Sequence, residues 1–130
     1  MKRILVGVTI ASVMLMVSGA LAVTGRAADE TLQQGVVQFD TQVKLGGVIL
    51  KGQYLFVHDD VRMARGESCT YVYNYTDGKQ GALVIDFHCI PVERKKVNHF
   101  SISTRVLPGV NLYELVEYQF AGSTEGHRVP

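Results

Sequence analysis

The chain has 130 residues, 47% hydrophobic and 19% charged, which is the make-up of one ordinary globular domain. Thirteen Lys and Arg face twelve Asp and Glu, and with Lys2 and Arg3 set aside the balance becomes eleven against twelve. A protein that grips nucleic acid through its phosphates carries a clear basic excess, so no nucleic-acid partner is expected.

The first element reads as a targeting segment. Met1-Lys2-Arg3 is a short positive start, Ile4 to Val17 is uncharged and largely apolar, and Ser18-Gly19-Ala20-Leu21-Ala22 offers small residues where a signal peptidase reads them. Ile4 to Val23 approaches the ~20 residues of a membrane span, but the basic start and the Ala-x-Ala site favour cleavage. Residues 1–28 are therefore expected to be a helical signal peptide, cut near Ala22 or after Ala27 or Ala28. The protein would be exported to the periplasm or beyond, with no membrane association after the cut. No Cys lies near the cut, which excludes lipid attachment there. Residues 29–122 would then form a single β domain and residues 123–130 a polar C-terminal tail.

Asp29 to Gln34 is polar and reads as a lead-in. From Val37 the pattern alternates: Val37, Phe39, Thr41, Val43 and Leu45 share one face, and Gln38, Asp40, Gln42 and Lys44 share the other, as in a half-buried strand. Gly46-Gly47 supplies a tight turn. Pairing Leu45 with Val48 sets Val43 opposite Leu50, Phe39 opposite Tyr54 and Val37 opposite Phe56, all apolar on one face. Gly52 is expected to mark a bulge that shifts the later pairs by one, with His58 ending the strand.

Asp59 to Ser68 is a polar connection. A third strand is expected over Cys69 to Tyr75 and a fourth over Ala82 to Ile90, joined by a longer loop from Thr76 to Gly81. After Pro91 a charged connection leads to a strand near Val97 to Val106. Leu107-Pro108-Gly109-Val110 is a turn. Leu112, Val116, Tyr118 and Phe120 suggest a last strand, although Leu112, Leu115, Val116 and Gln119 also suit a short helix; the tyrosines and the preceding turn favour strand. The expected class is all-β, an antiparallel meander of about six strands closing as a small sandwich or barrel.

The two cysteines carry the sharpest expectation. If Tyr75 opposes Leu83, then Tyr73 opposes Ile85, Tyr71 opposes Phe87, and Cys69 opposes Cys89. Opposed residues in such a pair have Cα atoms roughly 4.5–5.5 Å apart, within disulfide reach. A Cys69–Cys89 disulfide is expected in an exported chain, contributing on the order of 3 kcal/mol. A redox-active pair is disfavoured, since there is no Cys-x-x-Cys and neither thiol sits at a helix N-terminus.

Four histidines, His58, His88, His99 and His127, raise the question of copper or zinc. His88 and Cys89 are neighbours on a strand and should point to opposite faces. His99 alternates with Ser101 and Ser103 and is expected to be exposed. His58, followed by Asp59-Asp60, has the carboxylate neighbour that metal-binding imidazoles commonly carry. His58 and His88 are thus the candidate ligands. The only Met outside the leader, Met63, precedes both cysteines, which excludes a blue-copper loop, and covalent haem would need Cys-x-x-Cys-His.

Catalytic chemistry is thin. Thr70, Asp86 and His88 fall on one strand side, but with Asn74 they make an ordinary solvent-facing surface, so no catalytic residue is named. The run Gly46-Gly47-Val48-Ile49-Leu50-Lys51-Gly52-Gln53-Tyr54-Leu55-Phe56 resembles a hairpin of small secreted bacterial β proteins of uncharacterised function, which often have proline where Lys51 stands. The resemblance covers the first hairpin alone and implies an exported all-β domain, with no activity carried over. The expected function is non-enzymatic, a binding or structural role in the envelope with a protein or small-ligand partner. The alternative is a periplasmic copper- or zinc-binding protein.

Overall fold

The computed structural model describes residues 32–130, and the expected leader over residues 1–28 lies outside the described residues. Alternation builds the first hairpin as its sequence dictates. Strand β1 (Leu32–Leu45) pairs antiparallel with β2 (Val48–Asp59) around Gly46-Gly47, beginning with Leu45 opposite Val48 and Val43 opposite Leu50. Beyond that the register changes, and Phe39 faces Gly52, Val37 faces Tyr54 and Gly35 faces Phe56. The surplus sits in β1, where Asp40, Thr41 and Gln42 lie opposite Lys51 alone, so the shift is two residues instead of the expected one. An even shift preserves which side chains face inward. Leu50, Tyr54, Phe56 and His58 therefore stay on one buried face, while Thr41 is pushed out to solvent. The strand also starts earlier than expected, with Leu32, Gln33 and Gln34 pairing with Asp59, His58 and Val57.

A five-residue helix, α1 (Asp60–Ala64), follows β2. Asp59 caps it by accepting hydrogen bonds from the Val61 and Arg62 amides at 3.0 and 3.1 Å.

The second hairpin departs from the expected register. Strand β3 (Thr70–Thr76) and β4 (Lys79–Phe87) are joined by Asp77-Gly78 alone, both with positive φ (52° and 73°). This is the two-residue loop that Asp-Gly favours, in place of a longer one. Val72 now faces Ile85 and Thr70 faces Phe87, with two register shifts further along. One residue of slip reverses the faces of β3. Val72 and Thr70 are fully buried, whereas Tyr71, Tyr73 and Tyr75 are only half-buried on the other side. The expected solvent-facing Thr70 is corrected by the same slip.

Four further strands complete the fold: β5 (Ile90–Glu93), β6 (Ser101–Val106), β7 (Tyr113–Gln119) and β8 (Glu125–Arg128). Among the described residues eight strands replace the expected six. The two extra are β5 and β8, four residues each and paired with one another. The segment expected as a polar tail thus contains a strand that also pairs with β7. The arrangement is no simple meander, since β7 adds to β1 in parallel through Val43–Tyr113 and Lys44–Glu114. Helix is ruled out for Tyr113–Gln119. In β7 the register against β6 changes where Glu117 faces Ser103 and Leu115 faces Thr104, leaving Val116 as an extra residue. That bulge lets Leu115 and Tyr118 both point inward, three positions apart.

The strand order is β4-β3-β2-β1-β7-β8-β5, with β6 on the other edge of β7. β1 and β8 share the edge of β7 opposite β6, at Tyr113–Glu114 and Glu117–Gln119. Flat strands spaced ~4.8 Å apart would hold β4 about 19 Å from β7. The sheet curls instead, and His88 and Cys89 carry the chain from Phe87 of β4 to Ile90 of β5 at one corner. Among the described residues no β4–β5 ladder forms, so the curl is not hydrogen-bonded shut. Inside it lie Leu45, Leu50, Phe56, Val72, Leu115, Tyr118 and Phe120. The Phe87 and Tyr118 rings, from strands far apart in the order, meet at 6.4 Å. Each fully buried side chain of Phe or Leu size contributes about 1.5–3 kcal/mol through loss of water contact.

Candidate metal centre

The corner where the curled sheet meets itself collects the most polar part of the interior. His58 arrives there because the inward face of β2, Leu50, Tyr54 and Phe56, runs on to position 58. Cys69 sits just before β3 and is tied in by its amide, which donates to the Phe87 carbonyl at 3.2 Å, and by its carbonyl, which accepts from the Asp59 amide at 2.9 Å. Cys89 lies in the two-residue corner between β4 and β5. His127 is brought in by β8, where it pairs with Tyr118 on one side and Pro91 on the other. His58, Cys69 and His127 are wholly buried and Cys89 is 1% exposed.

The donor atoms converge. His58, Cys69 and Cys89 each offer one atom such that all three lie within 4.8 Å of one another. The sulfurs are 2.9 Å apart, and the Cys89 amide donates to Cys69 Sγ at 3.2 Å. Both cysteines are free thiols, since a disulfide requires ~2.05 Å. His127 Nδ1 stands 3.6 Å from Cys89 Sγ, and its ring lies 4.2 Å from that of His58. His58 Nδ1, His58 Nε2 and His127 Nε2 are buried with no hydrogen-bond partner among the described residues. Asp60 Oδ1 approaches His58 Nδ1 to 3.3 Å and Glu125 Oε1 approaches His127 Nδ1 to 3.7 Å. The first of these contacts lacks hydrogen-bond geometry and leaves Nδ1 without a partner among the described residues. Orphaned buried nitrogens cost free energy and call for a partner.

Burial sets the protonation states. Desolvation lowers the His58 pKa against the opposing pull of Asp60 and Asp59. The same cause, with His58 adding to it, pushes His127 down to about 4. Both imidazoles are therefore neutral near pH 7, with lone pairs free to bind a cation. Burial, followed by the hydrogen bond with Cys69, pushes the Cys89 thiol up to about 12. Tyr118 stacks on His127 with ring centroids 4.9 Å apart and planes 19° apart, and its hydroxyl hydrogen-bonds Thr70 Oγ1. Burial holds that phenol firmly protonated.

Of the residues expected from sequence, the structure brings Cys69, Cys89 and His58 together and leaves His88 out. His88 is exposed, and its Nδ1 lies 3.2 Å from the adjacent Cys89 carbonyl. Neighbours in an extended corner point apart, so burying Cys89 turns His88 outward. Sequence reasoning missed His127 because Glu125–Arg128 is too short and too polar to show a strand period. Comparison of the chain with protein-family models, curated proteins and solved structures finds no match.

Proposed function

We propose that this protein is a non-enzymatic exported β domain that binds a copper(I) or zinc(II) ion through His58, Cys69 and Cys89, with His127 as a fourth ligand. The observation that carries this reading is the convergence of two thiols and two neutral imidazoles in one buried corner, three of the imidazole nitrogens lacking a partner among the described residues. Mixed sulfur and nitrogen donors suit these two ions, whereas magnesium and calcium prefer oxygen. The donor set is closed to solvent, as in sites that hold an ion instead of turning over a substrate. Asp60 stands beside His58 Nδ1, where an outer carboxylate would orient the imidazole if Nε2 ligates. Export rests on the leader-like Met1 to Ala22.

Metal analysis of the purified, reduced protein tests the proposal. One equivalent of zinc or copper is expected, lost on replacing Cys69 with alanine and held at least tenfold more weakly after His58→Ala. A reduced, folded protein that takes up neither ion would refute it.

A further inference from the structure

We propose that Cys69 and Cys89 form a redox gate on this centre: as a pair of thiolates they hold the ion, and as a disulfide they exclude it. The inference rests on the metal-binding reading above. The observed sulfur separation of 2.9 Å belongs to neither end state. A disulfide needs ~2.05 Å, and two thiolates sharing a tetrahedral zinc at ~2.3 Å stand about 3.7 Å apart. Each end state lies within about 1 Å of the observed arrangement. Neither cysteine belongs to a strand: Cys69 precedes β3 and Cys89 occupies the β4–β5 corner. Either sulfur can therefore shift by side-chain rotation without unpairing a strand residue.

The gating step uses a small disulfide such as oxidised glutathione as its co-reactant. One cysteine thiolate attacks a sulfur of that disulfide, breaking its S–S bond. A mixed disulfide forms and one glutathione thiolate leaves. The second cysteine thiolate then attacks the protein sulfur of the mixed disulfide. The Cys69–Cys89 bond forms and the second glutathione thiolate leaves, so two electrons have passed from the protein pair to the oxidant. The corner is left with two neutral imidazoles and no anionic ligand. Loss of an outer-shell partner alone costs 10–100-fold in metal affinity, so loss of both sulfur ligands should cost more than about 100-fold. Because both sulfurs are buried, oxidant reaches them while the chain folds or when the corner opens. An ion already bound blocks the reaction by occupying both thiolates. The gate is thus set by whichever of metal or oxidant arrives first.

The full chain is refolded under a phosphine reductant or with oxidised glutathione, and each form is titrated with zinc alone. Free thiols are counted by alkylation and intact mass. The oxidised form is expected to have lost two hydrogens and to bind zinc more than about 100-fold more weakly, with full recovery on reduction. Zinc added first is expected to slow thiol loss. His58→Ala is expected to weaken zinc binding yet still form the disulfide, which separates the two roles within one folded variant. Unchanged zinc affinity in the fully oxidised form would overturn the gate while leaving metal binding intact. Thiols that stay free in the metal-free chain would overturn it as well. If the reduced protein binds no zinc or copper(I), the metal reading itself falls and takes the gate with it, even where alkylation still shows a disulfide.

Discussion

The imidazoles of His58 and His127 face each other with centroids 4.2 Å apart and planes inclined by 38°, one near the end of β2 and the other carried by β8. Two basic rings at this distance in a dry interior are tolerated only while both stay neutral. Their juxtaposition ties the stability of the fold and its capacity for metal to the same atoms.

His127→Ala is expected to weaken zinc binding at least tenfold, as His58→Ala does, because each removes a nitrogen ligand from the corner. His88→Ala should leave the affinity unchanged, since that ring is exposed. Isothermal titration of the reduced variants distinguishes them. Equal losses at His88 and His127 would refute this assignment.

Metal binding should release protons. The Cys89 thiol, pushed up to about 12 by burial, is protonated at neutral pH and must ionise to ligate. Zinc affinity is therefore expected to rise by about tenfold or more per pH unit over the neutral range. Titrations in buffers of different ionisation enthalpy give the number of protons directly.

The metal-free protein should lose stability in acid. His127 has its pKa lowered from 6.5 to about 4 on folding, so between those values the unfolded chain binds the extra proton and folding must expel it. The contribution is intact above pH 6.5, falls as pH drops, and levels off below about 4, for a loss of roughly 3 kcal/mol. Urea unfolding in the presence of a chelator, repeated with His127→Phe, should show the acid slope flattened in the variant.

Gly35 should resist enlargement. It faces Phe56 in the β1–β2 ladder, and a Cβ built there would land on the ring carbons of Phe100. Gly35→Ala is expected to destabilise the fold by about 1–3 kcal/mol through overpacking, read from the urea midpoint. Phe100→Leu in the same chain should recover part of the loss.

Much of the fold was legible from local pattern. The first hairpin was readable because period-two alternation and Gly46-Gly47 agree, and the two-residue bulge at Asp40–Gln42 shifted pairs without reversing faces. The β3–β4 register was misread although its cue, Asp77-Gly78, stands in the sequence. A turn of two residues in place of six moved every tyrosine of β3 to the outer side. The nearness of Cys69 to Cys89 survived that error because both lie past the ends of the hairpin ladder.

Alternation and turn chemistry within a few dozen residues fix the strand class, the inward face of β2 that reaches His58, and the nearness of the two cysteines. The formation of β8, the place of His127 beside His58 and the exposure of His88 come from long-range packing. Those outcomes depend on the curl that brings β2, β4, β5 and β8 to one corner. That curl is a sum of packing contacts between distant strands, and no short-range period in the chain encodes it.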